Sequence, residues 1–134
     1  MVTSRRPITA QLCPCGTGNT VADCCGKYLE GGAPAPTAET LMRSRYTAFA
    51  LMDTDYLKRT WHPDHRPATL DLDPYQRWTG LEILSTERGS LFDSDGTVEF
   101  RAHYSYGTER GNLHERSRFA RIGGRWLYVD GDIG

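Results

Sequence analysis

The four cysteines of this chain all lie between positions 13 and 25, and this cluster restricts the fold more than any other feature of the sequence. The segment reads CPCGTGNTVADCCG, in which one residue separates the first two thiols and the last two are adjacent. Zn²⁺ prefers four tetrahedral ligands, and thiolates are soft donors that select it. Gly16 and Gly18 give the backbone the freedom to reverse direction between the two pairs. The spacing predicts a single Zn²⁺ site with the ligands Cys13, Cys15, Cys24 and Cys25.

Two disulfides or four free cysteines are the alternative states of these thiols. A bridge between neighbouring cysteines is strained, and nothing in the sequence indicates an oxidising compartment. Four thiolates would also close the coordination sphere of the metal. The predicted Zn²⁺ is therefore structural, because a catalytic zinc needs an open position for water or substrate.

Several motifs resemble those of known families. CPCGTGNTVADCCG resembles the SEC-C zinc motif, first described at the C-terminus of the SecA translocation ATPase, whose fourth ligand is His or Cys. The sequences LMRSRYTAF, TWHP, HERSRF and GGRWLYVDG resemble the YchJ family of small bacterial proteins. The resemblance runs from Cys13 to Gly131 and implies a nuclear transport factor 2-like α+β cone after the cysteine segment. In several proteins with that fold the cone-shaped pocket binds a small molecule, and in some a pocket Asp, His or Tyr is catalytic.

The charge balance argues against a nucleic-acid-binding protein. Sixteen basic and seventeen acidic side chains give a formal net charge of −1, and no lysine lies between the two cysteine pairs. Few phosphates could be neutralised, so we expect no strong nucleic-acid binding. No apolar run approaches the roughly 18–20 residues that a membrane span needs, and no apolar segment follows Arg5-Arg6 as a twin-arginine signal requires. Because clustered thiols persist in a reducing compartment, we expect a cytoplasmic protein without a membrane partner.

Composition divides the chain into two parts. Residues 1–36 contain the zinc knuckle, defined here as residues 12–27, and a linker rich in Gly, Ala and Pro. Residues 37–134 are expected to form the main domain. It begins with Thr37, the predicted N-cap of an amphipathic helix. A shorter helix is predicted from Asp53-Thr54 to residues 61–63. The apolar residues of this helical region recur at steps of three and four: Ala38, Leu41, Met42, Phe49, Met52 and Tyr56.

From Leu81 onward the apolar pattern changes from helical to alternating. We expect strands at residues 81–88, 98–106, 113–122 and 125–130. The turns between them are predicted at residues 93–96, 107–111 and 123–124, and residues 64–79 are expected to be irregular. Two consecutive helices followed by an antiparallel meander predict an α+β fold, in which the helices pack on one face of a curved antiparallel sheet.

The last hairpin has a predictable register if its loop contains two residues. Phe119 is then expected opposite Tyr128, and Ser117 opposite Asp130. Alternation puts Glu115 on the same face as Ser117 and Phe119. The aromatic side chains indicate that this face is the one covered by the helices.

Arg45 falls on the apolar stripe of the first predicted helix, between Leu41 and Phe49. An arginine in such a stripe extends to solvent, forms an enclosed ion pair or binds a ligand. We expect it to point inward toward Glu115 or Asp130, because buried carboxylates need partners. The predicted pocket residues are Arg45, Tyr46, Trp61, His62, Glu115, Ser117, Trp126, Tyr128 and Asp130.

Two functions remain open. The first is a non-enzymatic binding or adaptor protein, with a protein partner at the zinc knuckle and a small-molecule ligand in the pocket. The second is a pocket enzyme of the lyase or isomerase type, with Asp130 or Glu115 as general base. No nucleophile–base motif, phosphate-binding loop or open metal site is visible, which favours binding. His62 and His65 are residues of a type that binds metals, but Pro63 between them disfavours a shared geometry.

Overall fold

The computed structural model describes residues 10–134, so most of the N-terminal segment predicted to be loose lies outside the described residues. The described chain forms three helices and a four-stranded antiparallel sheet of strand order β1-β2-β3-β4. This is the predicted α+β fold, with helices packed on the sheet. None of the described helices is both long and apolar enough to cross a membrane. The elements are α1 (Gly26–Leu29), α2 (Ala38–Leu51), α3 (Thr54–Arg59), β1 (Gln76–Arg88), β2 (Asp95–Tyr106), β3 (Glu109–Ile122) and β4 (Arg125–Ile133).

Side-chain caps set the start of the two longer helices. The Thr37 hydroxyl accepts a hydrogen bond from the Thr40 backbone N–H at 3.1 Å, so the predicted N-cap is confirmed. Met52 ends α2 in the left-handed conformation with φ 59°, and the side chain of Asp53 then caps α3. The predicted end of the shorter helix, at residues 61–63, lies too far along the chain. The helix stops at Arg59, because the backbone that follows pairs with β4 instead.

The sheet is longer than the alternating pattern indicates. β1 begins at Gln76, inside the segment predicted to be irregular, and pairs with β2 from there onward. Two register shifts interrupt β1, so its apolar residues do not alternate evenly and the strand period is hidden. The turn predicted at residues 107–111 is also shorter, since Tyr106 already pairs with Glu109. The polar residues after it belong to the exposed end of β3.

A bulge in the last hairpin corrects its predicted register. Phe119 pairs with Tyr128 as expected. Between Arg118 and Phe119 the register shifts by one residue, so Arg118 pairs with Asp130 and Ser117 pairs with Gly131. The prediction that Ser117 opposes Asp130 is therefore wrong. The extra residue in β4 moves Asp130 away from the face that the helices cover.

The segment predicted to be a zinc knuckle, residues 12–27, packs directly against the main domain. One buried cluster contains three of its cysteines and Val21 together with apolar residues of α2 and the sheet. Two polar contacts support this packing. The Cys13 Sγ lies 3.4 Å from the Thr47 Oγ1, and the Arg43 guanidinium donates to the Cys15 carbonyl at 2.8 Å. Arg59 also donates to the last carbonyls of α1.

Gly89 is a position where the fold requires a glycine. It adopts φ +77°, and an added Cβ would lie 2.7 Å from the Ala38 Cβ at the start of α2. We expect Gly89→Ala to lower the free energy of unfolding by about 3 kcal/mol, since left-handed strain and overpacking add together. Gly107 is a matched control, because it adopts φ +63° with nothing within 4 Å of an added Cβ. Gly107→Ala should cost only about 1 kcal/mol.

Urea unfolding of the two variants, followed by circular dichroism, measures the difference. Equal losses in Gly89→Ala and Gly107→Ala would show that α2 does not pack closely on the loop between β1 and β2.

Candidate functional site

The four cysteines converge on one point in the structure. Their Sγ atoms all lie within 4.8 Å of one another, and no disulfide joins them. The Sγ of Cys24 lies 3.5 Å from that of Cys15 and 3.9 Å from that of Cys25. Four sulfurs bound tetrahedrally at about 2.3 Å from Zn²⁺ would be about 3.8 Å apart. The cluster therefore has the ligand type and spacing of a tetrahedral metal site.

Local backbone geometry brings the two cysteine pairs together. Gly16 and Gly18 both adopt φ 87°, which reverses the chain after the first pair. The Cys13 N–H donates to the Asn19 carbonyl at 2.8 Å and closes the loop. Gly26 follows the second pair at a tight contact, because an added Cβ would lie 2.6 Å from the Val21 carbonyl oxygen. Residues 21–25, which contain the second cysteine pair, form a turn, and α1 begins at Gly26.

The sulfur cluster strongly perturbs its own ionisation. Hydrogen bonds from Cys15 and Cys25 lower the pKa of the Cys13 thiol. The same hydrogen bonds with Cys13 raise the pKa of Cys15 to about 11 and also raise the pKa of Cys25. Cys13 is thus the thiol of these three whose ionised form the hydrogen bonds of the cluster favour. A bound cation would compensate the repulsion between neighbouring thiolates and allow all four sulfurs to ionise.

A cavity of about 230 Å³ lies between α2 and the sheet. Its wall is mostly aromatic and aliphatic. Six of the nine predicted pocket residues line it: Arg45, Tyr46, Trp61, Glu115, Ser117 and Tyr128. The other six lining residues are not among the predicted ones: Met42, Phe49, Trp78, Phe100, Ala102 and Leu113. Trp78 lies within residues 64–79, which the sequence predicts to be irregular, whereas Met42 and Phe49 lie on the predicted apolar stripe of the first helix.

Arg45 points inward, but its partners are not carboxylates. It is only 3% exposed, and its Nη1 donates to the Leu57 carbonyl at 2.8 Å and to the Thr60 hydroxyl at 2.7 Å. Its Cζ lies 5.1 Å from the Trp61 ring centroid and 4.7 Å from that of Tyr128. Burial lowers the pKa of Arg45 to about 10, so the guanidinium remains charged at neutral pH. Between residues 10 and 134, no carboxylate oxygen lies within 4.0 Å of this guanidinium. The predicted ion pair is therefore absent from this region.

Glu115 is hydrogen-bonded to hydroxyl groups. Its Oε2 accepts from the Ser117 hydroxyl and from the Tyr128 hydroxyl, the latter at 3.3 Å. Burial and the nearby Glu115 charge raise the pKa of Tyr128, so this phenol stays protonated and remains a donor. Asp130 does not line the cavity. It pairs with Arg118 on the other face of the sheet, as the bulge in β4 requires.

His62 and Trp126 also lie outside the cavity. The His62 N–H donates to the Tyr128 carbonyl at 2.8 Å, while its ring packs edge to face with His65 at 5.6 Å between centroids. Trp126 is buried, and its indole N–H donates to the Pro36 carbonyl at 3.2 Å. The backbone of His62 therefore supports β4, and the ring of Trp126 belongs to the core under the linker.

The fold and the cysteine cluster define a class of protein: a nuclear transport factor 2-like domain that follows a SEC-C-type cysteine knuckle. Residues 37–131 match the family described as "YchJ, middle NTF2-like domain". A UPF0225 protein of Streptomyces coelicolor is 59% identical over 121 residues, which cover 90% of this chain and 94% of that protein. A UPF0225 protein of Chromobacterium violaceum is 52% identical over 123 residues, with coverages of 89% and 90%. The chain belongs to this YchJ-like, or UPF0225, family.

Two solved structures have the same overall fold. The solution structure of a SEC-C motif containing protein from Rhodopseudomonas palustris has a TM-score of 0.79 and 38% sequence identity, and the match covers 90% of this chain and 96% of that chain. The crystal structure of a SEC-C motif containing protein from Psychrobacter arcticus has a TM-score of 0.77 and 28% identity, with coverages of 95% and 85%. Both relatives carry the motif that the cysteine segment of this chain resembles.

The contacts of Arg45 predict the effect of removing it. Arg45→Met should lower the free energy of unfolding by about 2–4 kcal/mol, because two buried hydrogen bonds from a charged donor are lost. The exposed Arg77 is a matched control, so Arg77→Met should cost less than about 0.5 kcal/mol. Because Arg45 and Glu115 form no direct ion pair, the double variant Arg45→Met/Glu115→Gln should be nearly additive, with a coupling below about 1 kcal/mol. Denaturant melts of the parent, Arg45→Met, Glu115→Gln, the double variant and the Arg77→Met control test this. A coupling of about 3 kcal/mol would instead indicate an enclosed ion pair.

Proposed function

We propose that this protein is a non-enzymatic binding protein whose zinc knuckle is held by a structural Zn²⁺. The observation that supports the metal is the convergence of Cys13, Cys15, Cys24 and Cys25 within 4.8 Å. Thiolate ligands with this spacing fit Zn²⁺, and a fully thiolate-bound zinc leaves no position for substrate. The role of the ion is then to fold the knuckle against α2.

The cavity under α2 is the proposed ligand-binding site. Its volume, about 230 Å³, lies slightly below the usual range of ligand pockets, so the expected ligand is small. The wall combines an aromatic surface with a few convergent polar groups, among them Arg45 and Glu115. The adaptor role adds a protein partner at the outward side of the knuckle, where Leu12 is 69% exposed.

A pocket enzyme of the lyase or isomerase type is the second candidate, and one observation favours it. Glu115 faces the cavity without a cationic partner within 4.0 Å in the described part of the chain, so its carboxylate is available as a general base. Tyr128 is the matching hydrogen-bond donor. Asp130 is excluded from this role, because it pairs with Arg118 outside the cavity.

A metabolite screen separates the two candidates. Thermal shift with the zinc-loaded protein identifies compounds that stabilise the folded state. One-dimensional NMR of each stabilising compound, recorded after incubation with the protein, then shows whether it is returned unchanged or converted. An unchanged ligand supports the binding role, and a converted one supports Glu115 catalysis if Glu115→Gln abolishes the conversion.

Metal content provides the test of the zinc knuckle. We expect one Zn²⁺ per chain after purging and reloading, measured by elemental analysis. Cys24→Ser should lose the metal and the ordered amide signals of residues 12–27, because ligand bonds supply most of the folding energy of such a segment. The sheet should persist with a lower melting temperature, since Cys13, Cys15 and Cys25 belong to the same buried cluster as α2.

Thr17→Val is the matched control for this experiment. The Thr17 hydroxyl lies 3.2 Å from the Cys24 Sγ, but it is not one of the four sulfur ligands. This variant should retain one Zn²⁺ per chain. Full zinc binding by Cys24→Ser would contradict the four-thiolate site.

A further inference from the structure

The polar groups of the cavity indicate what kind of ligand it accepts, if the cavity is a binding site as proposed above. Donors in its wall outnumber their partners. The Tyr46 hydroxyl and the Trp61 indole N–H are buried and have no hydrogen-bond partner among the described residues. Both hydrogen bonds of the Arg45 guanidinium come from Nη1, so its other N–H groups are unused in the same region. A buried donor without a partner is costly, and a ligand acceptor would satisfy it.

The Tyr46 hydroxyl can donate a hydrogen bond at neutral pH, because it is protonated there. Burial raises its pKa to about 12, although the nearby Gly80 backbone amide opposes the shift. The phenol therefore keeps its proton at neutral pH. Trp61 offers only an N–H and Arg45 offers only N–H groups, so all three side chains call for an acceptor atom on the ligand.

Glu115 lines the same cavity and is an acceptor, so it requires a hydrogen-bond donor on the ligand. Its two hydrogen bonds both reach Oε2, which leaves Oε1 without a partner among the described residues. Arg45 and Glu115 contact different parts of the same tyrosine: Arg45 lies over the Tyr128 ring at 4.7 Å, and Glu115 accepts from its hydroxyl at 3.3 Å. Arg45 and Glu115 therefore both lie beside Tyr128, and a ligand that carries both an acceptor and a donor could satisfy them together.

The net charge of the cavity wall sets the charge of the ligand. One guanidinium and one carboxylate line the cavity, and their formal charges cancel. A charged ligand would leave one charge uncompensated in an apolar environment, which is unfavourable. The rings that line the rest of the wall favour a flat ligand, since Trp78 packs against Tyr46 and Phe49 with centroids 6.1 and 6.2 Å apart.

We propose that the cavity binds a small, uncharged, single-ring compound that presents a carbonyl-type acceptor to the unpaired donors of the wall and an N–H donor to Glu115. Aromatic amides and nucleobase-like heterocycles have this chemistry. Neither a simple hydrocarbon nor a simple aromatic acid or amine supplies both groups together with a net charge of zero.

Four probes of similar size separate these requirements. Benzamide carries both groups, benzoate is an anionic acceptor, benzylamine is a cationic donor and ethylbenzene has no polar group. NMR titration of the zinc-loaded chain should give benzamide the lowest Kd, about fivefold or more below that of ethylbenzene and about tenfold below those of the two charged probes.

Three variants assign the contacts. Tyr46→Phe should weaken benzamide about fivefold and leave ethylbenzene unchanged, which also shows that the cavity is intact. Tyr104→Phe is the matched control, because Tyr104 packs on Trp78 but does not line the cavity, and it should change neither Kd. Glu115→Gln should strengthen benzoate and weaken benzylamine, since the wall then carries one uncompensated positive charge.

The outcomes distinguish this inference from the proposed function. If ethylbenzene and benzamide bind equally, or if Tyr46→Phe affects both alike, the ligand class is wrong while the cavity remains a binding site. Tighter binding of benzoate to the parent protein would overturn the requirement for a neutral ligand. If none of the four probes enters the cavity, the binding role itself fails.

Discussion

The burial of α2 on nearly every side is the constraint on which the rest of the structure depends. Eight of its fourteen residues are buried, and among these Ser44, Arg45 and Thr47 have polar side chains with partners on other elements. A polar group inside a core is costly unless it has a hydrogen-bond partner. Ser44 finds one in the Tyr56 hydroxyl of α3 at 2.7 Å, Thr47 in the Cys13 Sγ and Arg45 at the end of α3. These contacts hold α3 and the knuckle against α2.

The cysteine cluster and the cavity consequently lie against one helix. Thr47 contacts the cluster, and Arg45, two residues earlier, contacts the cavity wall. Arg43 adds a second link, through the Cys15 carbonyl. Because the interior is close-packed, a change in the position of the knuckle would displace α2 and with it the side of the cavity that α2 forms. The cysteine cluster and the cavity therefore belong to one structural unit even though most of their residues are far apart in sequence.

Local signals in the sequence were reliable where one residue acts through its own backbone neighbours. Thr37 predicts the start of α2 because its hydroxyl satisfies an N–H only three residues away. The Phe119–Tyr128 pair was predictable because a two-residue loop sets the register of the residues next to it. The next predicted pair of the hairpin, Ser117 with Asp130, is wrong. A bulge adds a residue to β4, and nothing in the local composition marks its position, so Asp130 was placed on the wrong face.

The residue sequence is sufficient to predict the four-cysteine cluster, the α+β order of elements and the inward direction of Arg45, since each depends on residue type and short-range periodicity. The tertiary structure alone decided what Arg45 touches. Its predicted carboxylate partner is replaced by the Leu57 carbonyl, the Thr60 hydroxyl and two aromatic rings. The physical reason is that periodicity gives the direction of a side chain, whereas its partner depends on how α3 ends and how β4 is bulged. Both features arise from packing between segments that are distant in the chain.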